Sequence, residues 1–481
     1  MKRWLALLGG ALLGASVPAR ADEVGDAWRR LAEIDSAAAL VLIEQNHPGA
    51  HPDLGDAAFL ERLATARRHV AERLPQVTNL AGYNALILGL AAEFGDGHIR
   101  TSALVSQGAI EWAGLVAQRR GGRWLIARDF NDGAALDGAE LLSCNGVEAD
   151  TLARDRLGQF RANPAVEADL ARVAWTLLID DGNPFLERLH ECRFRLAGGG
   201  EEQHTLAWRS VPVPQLQQQV AQALSRPRAG MGVEPFAGGY WIALETLDAS
   251  AEAVVEQVRV LEAELRAAPM VVLDLRGNGG GNSDYASRIA EVLAGTEAVE
   301  GIRGVGESCS GAFWRASAGN AQAMRRYLEG TQGRQRELLL ASLAELEQAV
   351  ADEQAFAPAL PDCAREVADA PKPFAASPPL AIRGRLALLT DRACFSSCLI
   401  AADIWLRLGA LHLGEATDMS TRYMEVRDEP LPSGLRSFST LMKLALGIGN
   451  FGPYEPAVPY PGALDDTEAL KAWVSSLGAG G

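Results

Sequence analysis

Twice in this chain a short apolar run leads at once into a turn of small residues and then into an amphipathic stretch. Residues 270–275, Met-Val-Val-Leu-Asp-Leu, are broken only by Asp274 and run into Gly277-Asn278-Gly279-Gly280-Gly281. There Ser283 is placed to cap a helix with a buried stripe of Tyr285, Ile289 and Val292 and a stop at Gly295. The second copy has a strand at 386–389, a loop at 391–395 and a helix at 397–408 closed by Gly409. A run this apolar suits a strand buried on both faces of a sheet, so the pattern predicts an α/β core.

The rest of the chain frames that core. The 481 residues allow about three domains, and 48% apolar with 22% charged residues is an ordinary globular balance. Lys2 and Arg3 before an apolar stretch, with Ala19-Arg20-Ala21 after it, read as a signal peptide over 1–21, which implies a periplasmic or secreted protein. No later run is long and apolar enough for an integral membrane segment. Phe59, Leu63, Ala66, Val70 and Leu74, then Tyr83, Leu86, Ile87, Leu90 and Phe94, recur at helical spacing, which makes 22–107 a helical N-terminal region ending at Gly95-Asp96-Gly97-His98. Residues 108–229 turn to short β-prone runs, and 137–147 read either as the end of a PDZ-like module or as a plain hairpin subdomain. The core spans 230–475, with a helical insertion at 300–375 in which Leu339, Leu343, Leu346 and Val350 share a face.

Charge and cysteine content narrow the partners. Sixty-one acidic against 45 basic residues give a formal charge of −16, which disfavours nucleic acid as a partner. Six cysteines, Cys144, Cys192, Cys309, Cys363, Cys394 and Cys398, allow up to three disulfides in an oxidising compartment. Their pairing stays open: Cys309 and Cys363 could staple the insertion, and Cys394 and Cys398 either bridge each other or pair elsewhere. The spacing of the last two, with no second Cys or His pair nearby, offers no structural zinc site.

The two loops then suggest chemistry. The glycine loop has Asn282 where a dinucleotide fingerprint needs glycine, and it has no P-loop lysine. What it offers is bare backbone N–H groups at a helix start, suited to a developing oxyanion. Ser396 and Ser397 occupy the matching turn of the second unit, where a hydroxyl is either displayed as a nucleophile or spent as a helix cap.

Val271 to Gly281 resembles the Asp-Leu-Arg-Gly-Asn-x-Gly-Gly signature of the tail-specific (C-terminal processing) protease and tricorn-core family of serine peptidases. The segment 386–398 is similar to that family's nucleophile segment, Gly414-Glu415-Ala416-Thr417 to its Gly-x-x-Thr turn, and Asp96-Gly97-His98 to its Asp-x-His element. The resemblance implies a crotonase-like ββα superhelix core and, in register through Gly409, puts the family's serine at Ser396. It also implies an oxyanion hole from Gly280 or Gly281 with the Ser397 N–H.

The departures choose the base. The tail-specific branch uses a lysine after Gly-x-x-Thr, but this chain has only Lys2, Lys372, Lys443 and Lys471, and Lys443 lies in an apolar strand-like run. The tricorn branch uses a histidine from the N-terminal region, where His98 stands, and a histidine with its unperturbed pKa of about 6.5 is a good base near neutral pH. The supporting acid expected near the C-terminal end is glycine at the matching place, so Glu455 is the substitute, with Glu415 and Asp418 in reserve. The expectation is an exported serine peptidase acting on peptide or protein substrates without metal or organic cofactor. The rivals are a ligand- or peptide-binding protein on the same scaffold and a non-peptide esterase.

Overall fold

The computed structural model describes residues 21–105, 108–224, 228–303, 312–359, 380–445 and 451–478, so residues 1–20 of the expected signal peptide and Cys309, Cys363 and Lys372 fall outside the described residues. At the centre lies a sheet of six strands in the order Met231–Phe236, Gly239–Leu244, Met270–Asp274, Arg385–Thr390, Leu411–Gly414 and Val458–Pro459. The first pair is antiparallel and the remaining pairs are parallel. Met270–Asp274 is buried at every position, as its composition requires. It pairs in parallel with Arg385–Thr390, Asp274 facing Leu389, so the two repeated units are immediate neighbours.

Their helices, Asp284–Ala294 and Ser397–Arg407, share one core in which Ile289 and Leu293 pack with Leu399 and Trp405. Two local expectations change here. Ser283 makes no capping bond; the Asn282 side chain instead accepts the Asp284 N–H at 3.0 Å. The buried stripe is Ala286, Ile289, Ala290 and Leu293, while Tyr285 and Val292 are half-buried, because the helix turns its small residues toward its neighbour.

The N-terminus is helical, with Ala21–Asn46, Ala57–Arg73 and Leu80–Ala92, the latter two capped by the side chains of Asp56 and Asn79. Phe59, Leu63, Tyr83, Leu86 and Ile87 pack against Tyr423, Phe438, Leu441 and Leu444 from the far end of the chain. Those partners belong to a hairpin, Tyr423–Pro430 with Arg436–Ala445, whose sheet also takes Thr101–Ala103, Ala312–Arg315 and Phe356–Pro358. The 300–375 stretch is therefore not purely helical. Its helices Ala318–Glu329 and Gly333–Ala351, carrying the predicted Leu343 and Leu346 face, are bracketed by two short strands that lock into this sheet.

The middle region is an antiparallel sheet of Leu115–Arg120, Arg123–Asp129, Glu140–Cys144, Glu191–Arg195 and Glu201–Thr205, with Ala149–Gly158 and Glu167–Val173 among its helices. Cys144 and Cys192 face each other across paired strands and form a disulfide. No described helix is long and apolar enough to cross a membrane.

The loop after Met270–Asp274 begins with a buried ion pair. Asp274 and Arg276 are both fully buried, joined by Nε to Oδ1 at 2.9 Å and Nη2 to Oδ2 at 2.6 Å. Trp241 Nε1 donates to the same carboxylate, and the guanidinium also reaches the Leu464 carbonyl and the Thr467 hydroxyl, tying the sheet to the helix Thr467–Gly478. Removing one partner strands the other charge in the interior, so Asp274→Ala is expected to cost about 3–5 kcal/mol. Urea denaturation of the variant checks this, and a cost under about 1 kcal/mol would mean that water reaches the guanidinium.

Candidate active site

Because the two central strands run parallel and in register, their following loops leave the same edge side by side. The backbone knits them together: the Gly277 N–H lies 3.1 Å from both oxygens of Asp391, and the Phe395 N–H donates to the Asn278 carbonyl. Asp391 also accepts the Ala393 N–H at 3.0 Å. Burial pushes its carboxyl up to about 6, against the lowering effect of these two N–H groups.

Glycine is required where the loops touch. Gly280 has φ +102°, and a Cβ there would come within 2.8 Å of Ser396 Cβ and 2.9 Å of the Ser397 nitrogen. A Cβ on Gly281, at φ +134°, would meet the Leu247 carbonyl oxygen at 2.4 Å. The N–H groups are not equivalent. That of Gly280 is committed to Asn278 Oδ1 at 2.8 Å, which corrects its expected place as an oxyanion donor. Gly281 bridges Leu247 through its neighbours, the Gly280 carbonyl accepting the Leu247 N–H and the Asn282 N–H donating to the Leu247 carbonyl, so its own N–H is not spent on that bridge. Its carbonyl accepts the Ser397 hydroxyl at 2.6 Å.

Ser396 stands at the sharp end of the second loop with φ 56° and ψ −127°, outside the region a side chain prefers. It holds the N-cap position of Ser397–Arg407 but makes no capping bond. Its Oγ lies 3.0 Å from His98 Nε2. The Ser397 N–H, at the first helical position, has no acceptor within the helix.

His98 reaches this serine from the turn after the third helix. It is 7% exposed, its ring 4.4 Å from that of Phe395, and its carbonyl accepts the Ser439 hydroxyl at 2.6 Å. Asp96, 8% exposed, receives both the His98 backbone N–H at 2.8 Å and Nδ1–H at 3.0 Å on Oδ1, while Thr421 donates its hydroxyl to Oδ2. With Nδ1–H given to Asp96, Nε2 is left to accept the serine proton. Burial alone would raise the Asp96 pKa, but the hydrogen bonds and charge of His98, with the Thr421 hydroxyl, outweigh it and hold it below the usual carboxylate range.

Glu455, expected as the supporting acid, is not part of this constellation. It is exposed, and its backbone carbonyl accepts the His412 Nδ1–H at 2.9 Å. Asp96, two residues from His98, takes the position instead, because the turn curls the carboxylate back under the ring. Of the reserves, Glu415 is held by Arg392 at 3.1 and 3.0 Å, and Asp418 faces the cleft. Lys443 is on the outer hairpin, 3.8 Å from Glu425 and over the Trp314 ring. A cleft of about 540 Å³ opens beside Phe395, the residue before the serine, walled by the third helix and its turn, by Phe160 to Val173 of the middle region, and by Gly279, Arg392 and Asp418.

Cys394 and Cys398 form a disulfide across Ser396, both sulfurs buried under the helix. Closing so short a loop removes about 2 kcal/mol of unfolded-chain entropy, the same order as the roughly 1–3 kcal/mol cost of a non-glycine residue at such a φ. Replacing both cysteines by alanine is therefore expected to lower unfolding stability by about 2 kcal/mol and to loosen the Ser396 to His98 contact. Denaturation curves with peptide mapping under non-reducing conditions check it, and unchanged stability would remove the bridge from the account.

Residues 239–417 match the family described as peptidase family S41. The whole fold is similar to the crystal structure of mature CPAF, with a TM-score of 0.56 at 12% identity over 94% of this chain and 97% of that one. The structure of mature CPAF complexed with lactacystin gives 0.55 at 13% over 94% and 98%. The crystal structure of the tricorn protease gives 0.37 at 10%, covering 94% of this chain and 37% of that one. At these identities the likeness concerns the fold. No curated protein matches the chain in sequence.

Proposed function

We infer that this chain, whose residues 239–417 match peptidase family S41, is a serine-type peptidase in which Ser396 is the nucleophile of peptide-bond hydrolysis and His98 its general base. The observation that carries this reading is the continuous relay from Ser396 Oγ through His98 to Asp96, with 3.0 Å at each of its two steps. Ser396 Oγ attacks the peptide carbonyl carbon while its proton passes to His98 Nε2. The resulting imidazolium is balanced by Asp96, which stays ionised because it is held low, and which Thr421 fixes in place. The same imidazolium then protonates the leaving amine, and water repeats the sequence on the acyl-enzyme. The Ser397 N–H and the Gly281 N–H are the donors for the oxyanion, the helix start adding its partial positive charge.

The finer parts of this reading are a crotonase-like ββα core, supported by the alternation of parallel strands and packed helices, and a PDZ-like role for the 108–229 module, supported by its position on the cleft wall. Export, with removal of residues 1–21, is supported by the two described disulfides, which suit an oxidising compartment.

Ser396→Ala is expected to abolish hydrolysis of a peptide library and labelling by a fluorophosphonate probe while leaving the circular dichroism spectrum unchanged. Labelling that persists in Ser396→Ala and disappears in Ser397→Ala would shift the nucleophile by one residue. A wild-type protein inert to both probe and peptides would favour a binding protein on this scaffold, and probe labelling without peptide cleavage an esterase.

Asp96→Asn keeps the shape but weakens the hold on the tautomer, so kcat is expected to fall by a factor on the order of 10²–10⁴. Equal rates for Asp96→Asn and wild type would remove Asp96 from the relay.

A further inference from the structure

The cleft beside Phe395 is lined by two acids that the hydrolytic relay leaves unused, Asp169 and Asp418, and of these Asp169 is already paired with Arg172. Asp418 follows the Gly414 to Thr417 turn and is 7% exposed. Its N–H donates to the Cys394 carbonyl at 3.1 Å, and its Oδ1 accepts the Met419 N–H at 2.8 Å, so the turn fixes the carboxylate. Oδ2 has no hydrogen-bond partner among the described residues, and the side chain lines the cleft of about 540 Å³.

Nearly every other charge on those walls is already matched. Arg172 pairs with Asp169, which also takes the Asn163 N–H; Arg392 pairs with Glu415, and Arg161 with Asp181. Asp96 is taken by His98 and Thr421, and Arg100 is exposed at the rim. Between them the wall is apolar, with Leu88, Ala91, Ile99, Phe160, Val173 and Phe395. A deep carboxylate with a free oxygen, reached along hydrocarbon, fits a cation that arrives on an aliphatic stem. The stem loses little by burial there, and the head gains a charge-assisted hydrogen bond away from bulk water.

We propose that Asp418 is a specificity determinant that selects peptides with a lysine or arginine beside the scissile bond, the apolar wall taking the stem and the carboxylate the cationic head. This rests on Ser396 as the nucleophile. Burial, then the charge of Asp169, raises the empty carboxyl to about 6, while the Met419 N–H, Arg172 and His98 act the other way. A bound cation would favour the ionised form.

The test separates this from the nucleophile assignment by measuring binding without turnover. Ser396→Ala is titrated with two fluorescent peptides that differ only by lysine or norleucine at the varied position, read by anisotropy. The lysine peptide is expected to bind at least about tenfold more tightly, and Ser396→Ala with Asp418→Asn to bring the two within about twofold, the norleucine affinity being unchanged. Equal or undetectable binding of both peptides, or a lysine preference that survives Asp418→Asn, overturns the proposal. Wild-type hydrolysis of both peptides at equal kcat/KM overturns it while leaving Ser396 in place. A lysine preference in binding with no hydrolysis by the wild type supports Asp418 and removes Ser396.

Discussion

Everything at the site depends on the in-register parallel pairing of Met270–Asp274 with Arg385–Thr390. Parallel strands end at the same edge, so two loops more than a hundred residues apart in sequence must emerge together. The ladder continues past the strands, the Leu275 N–H donating to the Leu389 carbonyl, before the loops bind each other through Asp391 and Asn278. A slip of one residue would turn Asp274 and its ion pair out of register and part Gly280 from Ser396. The apolar composition of both strands guards against that slip, since they are covered on both faces.

His98 arrives by a second route that is just as strict. The strand after it, Thr101–Ala103, pairs with Arg436–Ala445, and Ser439 clamps both the His98 carbonyl and the Arg100 N–H. That late strand shares its apolar core with the N-terminal helices. The helical region therefore does more than cover the fold. It closes a core with the last hairpin, and the turn carrying Asp96 and His98 is the point where that core meets the glycine and serine loops.

The legible parts of the site were those with a local period or a local motif. The two strand, loop and helix units showed in apolar runs that leave a helix or strand little alternative, but the choice of Ser396 over Ser397 rested on the family resemblance in register through Gly409. His98 rested on the same resemblance, with the shortage of lysine deciding between the family's two branches. Asp96 lay in plain view in Asp96-Gly97-His98, yet its role depends on a turn that bends its carboxylate to Nδ1, and a spacing of two residues carries no such information without φ and ψ. Glu455 was sought by analogy along the chain, whereas hydrogen bonding is decided in space. The strands Ala312–Arg315 and Phe356–Pro358 were hidden because they are four and three residues long, and their stability comes from pairing with each other and, through Ala312–Arg315, with the distant strand Arg436–Ala445. The Thr421 contact has the same origin, since nothing in a threonine marks it as the second partner of an acid 325 residues distant.

Three buried acids around the serine are set in opposite directions, and the consequence is a conflict built into the fold. Asp96 is held low by His98 and Thr421, so the stability it supplies is present above the unfolded carboxylate range and is lost as pH falls through its folded value. Asp391 and Asp418 are raised to about 6, chiefly by burial. Between about 3.9, where an unfolded aspartate titrates, and 6 the native state holds their extra protons, so their contribution to stability declines as pH rises through that window. The proposed relay requires a neutral imidazole to accept the serine proton. Asp391 in particular joins the glycine loop to the serine loop, and its N–H donors oppose the burial that raises it. The backbone contacts that align the two loops are thus made to an acid whose charged form the interior disfavours, and they must be strong enough to hold it while the proposed relay operates.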